Sequence, residues 1–270
     1  MAFAAAGASV VVNDRGGGLG DVSLNQNPAD DVVEEIRSAG GTAAANYEDV
    51  SDFEAAGRIV QTALDNFGRV DIMVTNAGTD RRGPVLDLTP EDWDLTLKVH
   101  VYGSIYCAVQ AGRAMRSQGS GAIVTITSPS FPTGAERLAP YVVSKGAIYS
   151  LTRTLALELK PLGITVNALA PRRTLTRATE EMITNMREKN APADEIAAME
   201  ESFQRPEDVA PLALFFATPE SREVTGRILF IEKDRIAFMG QPAMEESSYH
   251  PTGHWSIEDL IRVVPRLDGK

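Results

Sequence analysis

The sequence predicts an α/β fold, a parallel sheet wrapped by helices. Short β-branched runs alternate along the chain with amphipathic stretches of helical period, and no internal repeat or low-complexity tract interrupts them. The length of 270 residues suits one large domain with a buried sheet. Apolar residues at 43% and charged residues at 23% exclude disordered and fibrous classes.

Taken in order, Ser9–Asn13 reads as a buried strand. Residues 28–39 read as a helix, with Asn27 as its N-cap, Pro28 in its first turn and Val32, Val33 and Ile36 on one face. Gly40 and Gly41 end it. A weak strand over 42–47 and a helix over 52–67 follow, the latter facing inward through Phe53, Ile59, Val60, Ala63 and Leu64 and closed by Gly68. Residues 70–75 form the next buried strand, followed by the turn Asn76, Ala77, Gly78 and a loop carrying Arg81, Arg82 and Gly83. Thr89, Pro90, Glu91 and Asp92 start a helix that runs, with a break, to Ser117; its acids face the positive end of the helix dipole. Residues 122–127 form a strand, 141–159 a long helix stopped by Pro161 and Gly163, and 165–170 and 227–231 the last strands. A helix beginning at Arg205 and Pro206 covers 209–217. One domain therefore accounts for residues 1–235, and 236–270 form an appendage.

Composition narrows the partners. No stretch approaches the ~20 uninterrupted apolar residues of a membrane span. The apolar first eight residues resemble a signal peptide's core but lack a basic leader and run straight into the first strand. The single cysteine, Cys107, excludes an internal disulfide and fits a reducing, cytoplasmic setting. A net charge of −11 argues against nucleic acid or an anionic membrane as partner and leaves a small-molecule substrate.

Tyr141 and Lys145 lie four apart on the long helix, so their side chains emerge one turn apart on one face. A phenol of ordinary pKa near ~10 is a poor proton donor or acceptor at neutral pH, and a nearby ammonium favours the phenolate. Ser128 ends a strand thirteen residues earlier, where its hydroxyl can hold the substrate oxygen. Alone, a tyrosine–lysine pair is usually a surface contact. Taken together these groups suit proton transfer at a carbonyl or alcohol oxygen while a cofactor exchanges hydride.

The ordered set of Asn76, Ala77, Gly78, then Ser128, Tyr141, Lys145, Asn167 and Pro171 resembles the short-chain dehydrogenase/reductase family over about residues 1–235. The resemblance implies a doubly wound, Rossmann-like sheet. It makes Tyr141 the acid/base, Lys145 the group that lowers its pKa and holds the nicotinamide ribose, and Ser128 the group that orients the substrate oxygen. Asn76, Ala77, Gly78 and Pro171 would line the cofactor groove. Asp14, at the end of the first strand, would accept the adenosine ribose diol and select NAD over NADP; the plain alternative is a solvated turn aspartate. Asp49 and Val50 match the family's adenine-contacting pair. Further similarity, in Asp14, Gly16–Gly20, Glu34, Glu35 and Tyr47, points to the hydroxyacyl-CoA dehydrogenase branch. That branch carries histidine at the position of His100, where most of the family has asparagine holding a relay water. His100 is therefore a relay residue or, equally, a buried structural histidine. A homodimer or homotetramer formed through helix pairs is expected.

Two departures stand out. The family's first strand and its glycine-rich phosphate-binding loop are missing, and Met1–Ala6 already resembles the end of the helix that should follow that loop. Gly16–Gly20 is no substitute, because it follows the second strand and reads as an insertion. The expectation is that Met1 is an internal start, or else that the fold is rearranged and binds the cofactor weakly or not at all. The second departure is Arg172 and Arg173, where glycine usually follows Pro171; they clamp an anionic group or point to solvent. In the appendage, His250 and His254 flank Pro251 and Gly253, so no helix aligns them and no metal site is expected. Ser256 starts a short amphipathic helix. The sequence thus predicts an NAD-dependent oxidoreductase acting on a secondary alcohol or ketone, a 3-hydroxyacyl thioester among them, with a non-redox scaffold as the alternative.

Overall fold

In a computed structural model, residues 1–16, 27–240 and 255–267 are described. They fall in two compact units, Met1–Phe238 and Met239–Lys270.

The first unit is a three-layer α/β structure. Its elements run α1 (Ala2–Ala5), β1 (Ser9–Asn13), α2 (Pro28–Ser38), β2 (Thr42–Asn46), α3 (Phe53–Phe67), β3 (Ile72–Thr75), α4 (Pro90–Leu97) and α5 (Gly103–Gln118). They continue with β4 (Gly121–Ile126), α6 (Ala139–Leu159), β5 (Ile164–Pro171), α7 (Arg177–Glu188), α8 (Ala193–Glu201), α9 (Pro206–Phe215), β6 (Ile228–Glu232) and β7 (Arg235–Phe238). Local chemistry sets many of the ends. Asn27 caps α2 by accepting from the Ala29 N–H, Asp52 caps α3 from the Ala55 N–H, and Thr89 and Asp92 form a reciprocal capping box on α4. Gly68 closes α3 at φ 77°, a left-handed angle that costs glycine nothing.

The centre is the parallel pair β4–β5, in register from Gly121 opposite Ile164 to Ile126 opposite Leu169. Adjacent residues of β4 face opposite layers. Ile123 packs with Val60, Ala108, Ala111, Met115 and Ala156, and Val124 packs with Leu169, Ala213, Phe216 and Leu229.

The sheet is split where the missing first strand was expected. Among the described residues β1 pairs only with β2, and β3, β4, β5, β6 and β7 form a separate five-stranded sheet in that order. The two parts are joined by helices instead of strand pairing. On one face α1 places Phe3 against the Val124–Phe216 cluster and Ala4 against Val33, Ile36 and Ala43. On the other, α3 packs on α5 and on β1 and β2. The split explains why β1, expected to be buried, is only half-buried, whereas β4 and β5 are buried along most of their length.

Three further features depart from the sequence reading. The break in the helix after Leu97 is a π-helical turn, Lys98–Tyr102, so the helix widens without stopping. The sequence reading assigned no element to α7 and α8, although α7 is amphipathic. The sheet also ends on an antiparallel strand: β7 pairs with β6 through a tight turn at Lys233 and Asp234. Lys233 adopts φ 52° there, held by its N–H on Gln204 and its ammonium on the Glu201 carbonyl. The strands therefore reach Phe238, past residue 235.

The second unit is described over residues 239, 240 and 255–267. It contains α10 (Ile257–Leu267), started by Ser256, whose hydroxyl accepts from the Asp259 N–H. Ile257, Leu260, Ile261 and Val264 share one face of it. Tyr249, His250 and His254 lie outside the described residues, as do positions 17–20 of the glycine-rich insertion. No helix among the described residues is long and apolar enough to cross a membrane.

Because β4 and β5 are paired on both edges and β1 on one, hydrogen exchange should rank them accordingly. The amides of β4 and β5 should be the slowest to exchange and those of β1 and β2 faster by orders of magnitude. Equal protection across all four strands would contradict the split.

Candidate active site

Strands β3 to β6 run parallel, so their carboxyl ends share one edge of their sheet, where α/β folds place their ligands. Two buried hydrogen bonds fasten α6 at this edge. Thr125 Oγ1 lies 2.6 Å from Thr152 Oγ1, and the Thr127 hydroxyl donates to the Lys145 carbonyl at 2.7 Å. They present Tyr141 and Lys145 beside the end of β4. Lys145 is buried, and its ammonium donates to the Ile126 carbonyl at 2.8 Å. The same Nζ stands 5.5 Å from the centre of the Tyr141 ring. Ser128 is also buried; its Oγ lies 2.9 Å from Ser130 Oγ and faces the Tyr141 phenol.

Burial dominates the electrostatics. It raises the Tyr141 phenol above its ordinary value; the Ser128 hydroxyl pulls it back, the Asp80 carboxylate raises it further, and Arg82 lowers it. Burial also brings the Lys145 ammonium down to about 8. The groups that shift the phenol here are burial, Ser128, Asp80 and Arg82, while the Lys145 ammonium is itself desolvated and donates to the Ile126 carbonyl.

His100 sits in the π-helical turn, 2% exposed. The Thr79 N–H donates to its Nε2 at 2.9 Å, and its Nδ1 lies 2.8 Å from Ser144 Oγ. Its ring meets that of Tyr141 edge-on with centroids 5.8 Å apart. Gly78 approaches so closely that a Cβ there would stand 3.0 Å from His100 Nε2. The fold therefore brings Gly78, His100, Tyr141, Lys145 and Ser128 into one cluster. Asn76 and Ala77 are exposed beside it, and Pro171 ends the neighbouring β5.

Asp14 and Asp49 follow β1 and β2, across the split from this cluster. Asp14 Oδ1 accepts the Gly16 N–H at 2.9 Å. Asp49 Oδ2 pairs with Arg15 at 2.5 Å, and its Oδ1 accepts from the Ser51 N–H and hydroxyl. Val50 packs on Gly103 at the start of α5, where a Cβ would come within 2.8 Å of it. Arg172 turns toward Glu232, with 3.6 Å between charged atoms, and Arg173 toward Ser202 at 3.4 Å.

Several residues here had no signal in the sequence. Ser144 stands beside Lys145 but faces His100, and Asp80 lies in a loop yet bears on Tyr141. Gln204 is 3% exposed, donating to the Arg172 carbonyl at 3.2 Å and accepting from the Lys233 N–H at 2.8 Å. It clasps the end of β5 to the β6–β7 turn, although its neighbourhood reads as an ordinary loop.

The residues fit a dinucleotide at its two ends. The carboxylate at the end of β1 and the open Asn76–Gly78 backbone suit an adenosine and its linkage, and Tyr141 and Lys145 suit a nicotinamide ribose. Between β1 and β3 the described residues supply no glycine-rich turn feeding a helix N-terminus. Nor, among them, do any three His, Cys, Asp or Glu side chains form a metal site.

Comparison with known proteins agrees with this geometry. A sequence-family model described as enoyl-(acyl carrier protein) reductase matches residues 1–233. The mouse (Mus musculus) peroxisomal multifunctional enzyme type 2 is 38% identical over 226 residues, covering 84% of this chain but 28% of that much longer protein. A short-chain dehydrogenase from Mycobacterium avium superposes with a TM-score of 0.82 at 31% identity, covering 100% of this chain and 89% of that one. A gluconate 5-dehydrogenase from Burkholderia cenocepacia, solved with NADP and tartrate, gives a TM-score of 0.72 at 26% identity, covering 85% and 86%.

The buried phenol can be tested without turnover. In an ultraviolet pH titration, the tyrosine transition that Tyr141→Phe removes should have its midpoint above the ordinary value of 10.0. A midpoint near neutrality would show that Lys145, and not burial, governs the site.

Proposed function

The chain belongs to the short-chain dehydrogenase/reductase family of oxidoreductases, and we propose that it interconverts a secondary alcohol and a ketone with NAD as cofactor. The observation that carries this reading is the arrangement at the end of β4 of buried Ser128 and Lys145 with half-buried Tyr141. We assign a 3-hydroxyacyl thioester as the substrate class, supported by the similarity to the multifunctional enzyme.

When bound, the nicotinamide supplies or removes the hydride. The chain's own residues handle the oxygen. The Ser128 hydroxyl donates to the carbonyl oxygen and fixes its position. The Tyr141 phenol passes its proton to that oxygen during reduction and takes it back during oxidation. The Lys145 ammonium stabilises the phenolate left behind and holds the ribose that places the ring.

Asp14 supports NAD over NADP, since a carboxylate there receives a ribose diol and repels a 2′-phosphate. Asp49, Val50, Asn76, Ala77, Gly78 and Pro171 complete the proposed groove. A homodimer or homotetramer is supported by exposed apolar side chains on the outer helices, Tyr102 beside α5 and Val143 and Leu157 on α6. The split between β1 and β3 favours a second reading, a scaffold that keeps the pocket but holds the dinucleotide too weakly for turnover.

Calorimetry separates the readings. Saturable micromolar binding of NADH, tighter than NADPH, is expected, with Asp14→Ala narrowing the preference at least about tenfold, or ~1.4 kcal/mol. Absence of binding by either dinucleotide would support the scaffold instead.

A further inference from the structure

We propose that His100 is a positioning residue, a neutral imidazole locked in one tautomer that ties the turn after β3 to the catalytic turn of α6. The inference deepens the proposed reading of the site, and it rests on hydrogen-bond directions that leave no choice. The Thr79 backbone N–H can only donate, so His100 Nε2, 2.9 Å away, must carry a lone pair. The single ring proton of the neutral imidazole then sits on Nδ1. Ser144 Oγ, 2.8 Å from Nδ1, gives its own proton to the Tyr141 carbonyl at 2.7 Å and so accepts from the imidazole. The series Thr79, His100, Ser144, Tyr141 thus runs from donor to acceptor without a break.

The series excludes a second ring proton. An imidazolium would set an N–H at Nε2 against the N–H of Thr79. The neighbouring groups oppose it as well. Lys145 on α6 adds positive charge and Tyr141 presents a neutral phenol, while Gly78 and Thr79 offer only backbone. Burial and Lys145 accordingly drive His100 down to about 3. Both nitrogens are engaged within the protein, so neither serves a relay water, and the proton path at the substrate oxygen runs through Tyr141 without it.

The structural consequence is a bracket. The exposed turn Asn76–Gly78, which faces the cofactor groove, is held against the ring, and the Tyr141 main chain is held from the other side. The π-helical turn makes this reach available by swinging His100 inward between the exposed Lys98 and Tyr102. Gly78 is required at the contact, because a side chain there would crowd Nε2.

Nitrogen-15 NMR of histidine-labelled protein tests the tautomer independently of any activity. The chain has three histidines, and the signal lost in His100→Asn identifies this one. His100 should show a protonated Nδ1 and an unprotonated Nε2, unchanged between about pH 5 and 9. A titration in that range, or protonation at Nε2, would overturn the proposal, whether or not the chain turns over. In kinetics, Ser144→Ala and His100→Asn should lower kcat by roughly ten- to a hundredfold through misplacement, with the pH dependence of the remaining rate unchanged. Loss of a pH limb in His100→Asn would instead mark a relay. Should that variant fail to fold, the NMR result for the unaltered chain decides alone.

Discussion

The site depends on one constraint, the fastening of α6 to the carboxyl end of β4. Thr125 and Thr152 bond inside the core, Thr127 holds the Lys145 carbonyl, and the Lys145 ammonium returns to the Ile126 carbonyl. A buried ammonium without such an acceptor would cost several kcal/mol or lose its proton. With it, one helix turn is fixed against one strand end, and Ser128, Tyr141 and Lys145 are brought together there. The low dielectric that makes this fastening necessary also keeps the Tyr141 phenol protonated, so structure and chemistry have a common cause.

The split sheet affects a different part of the molecule. It lies between β1 and β3, while the fastened pair β4–β5 stays fully paired and buried. Helices α1 and α3 bridge the two parts. Ser128, Tyr141 and Lys145 therefore rest on the five-stranded sheet, and Asp14 and Asp49 on the pair β1–β2. That division separates the two proposed readings, which differ in dinucleotide affinity.

Much of this was legible in the sequence. Buried parallel strands are written as β-branched runs, so β3, β4, β5 and β6 were readable within two residues or so, and capping chemistry marked α2, α3 and α4 (Asn27, Asp52, Thr89). The i,i+4 spacing made it legible that Tyr141 and Lys145 share one face of α6. What escaped depends on tertiary contact. The β6–β7 turn uses Lys233 at a positive φ that Gln204 holds, and no local residue advertises it. α7 and α8 pack on each other, and the sequence reading left them unassigned although α7 is amphipathic. The tautomer of His100 follows from Thr79 and Ser144, twenty-one residues before it and forty-four after. The pKa of Tyr141 turned on burial, which spacing alone cannot weigh against a nearby charge.

The central claim is that Tyr141 hands its proton to a carbonyl oxygen while hydride reaches the adjoining carbon. It is tested most directly by offering a 3-oxoacyl thioester together with NADH deuterated at nicotinamide C4 and analysing the product by mass spectrometry. The account predicts a hydroxy product carrying deuterium at the carbinol carbon, formed roughly 10²–10⁴-fold more slowly by Tyr141→Phe. Deuterium transfer at the same rate by Tyr141→Phe and the unaltered chain would contradict it.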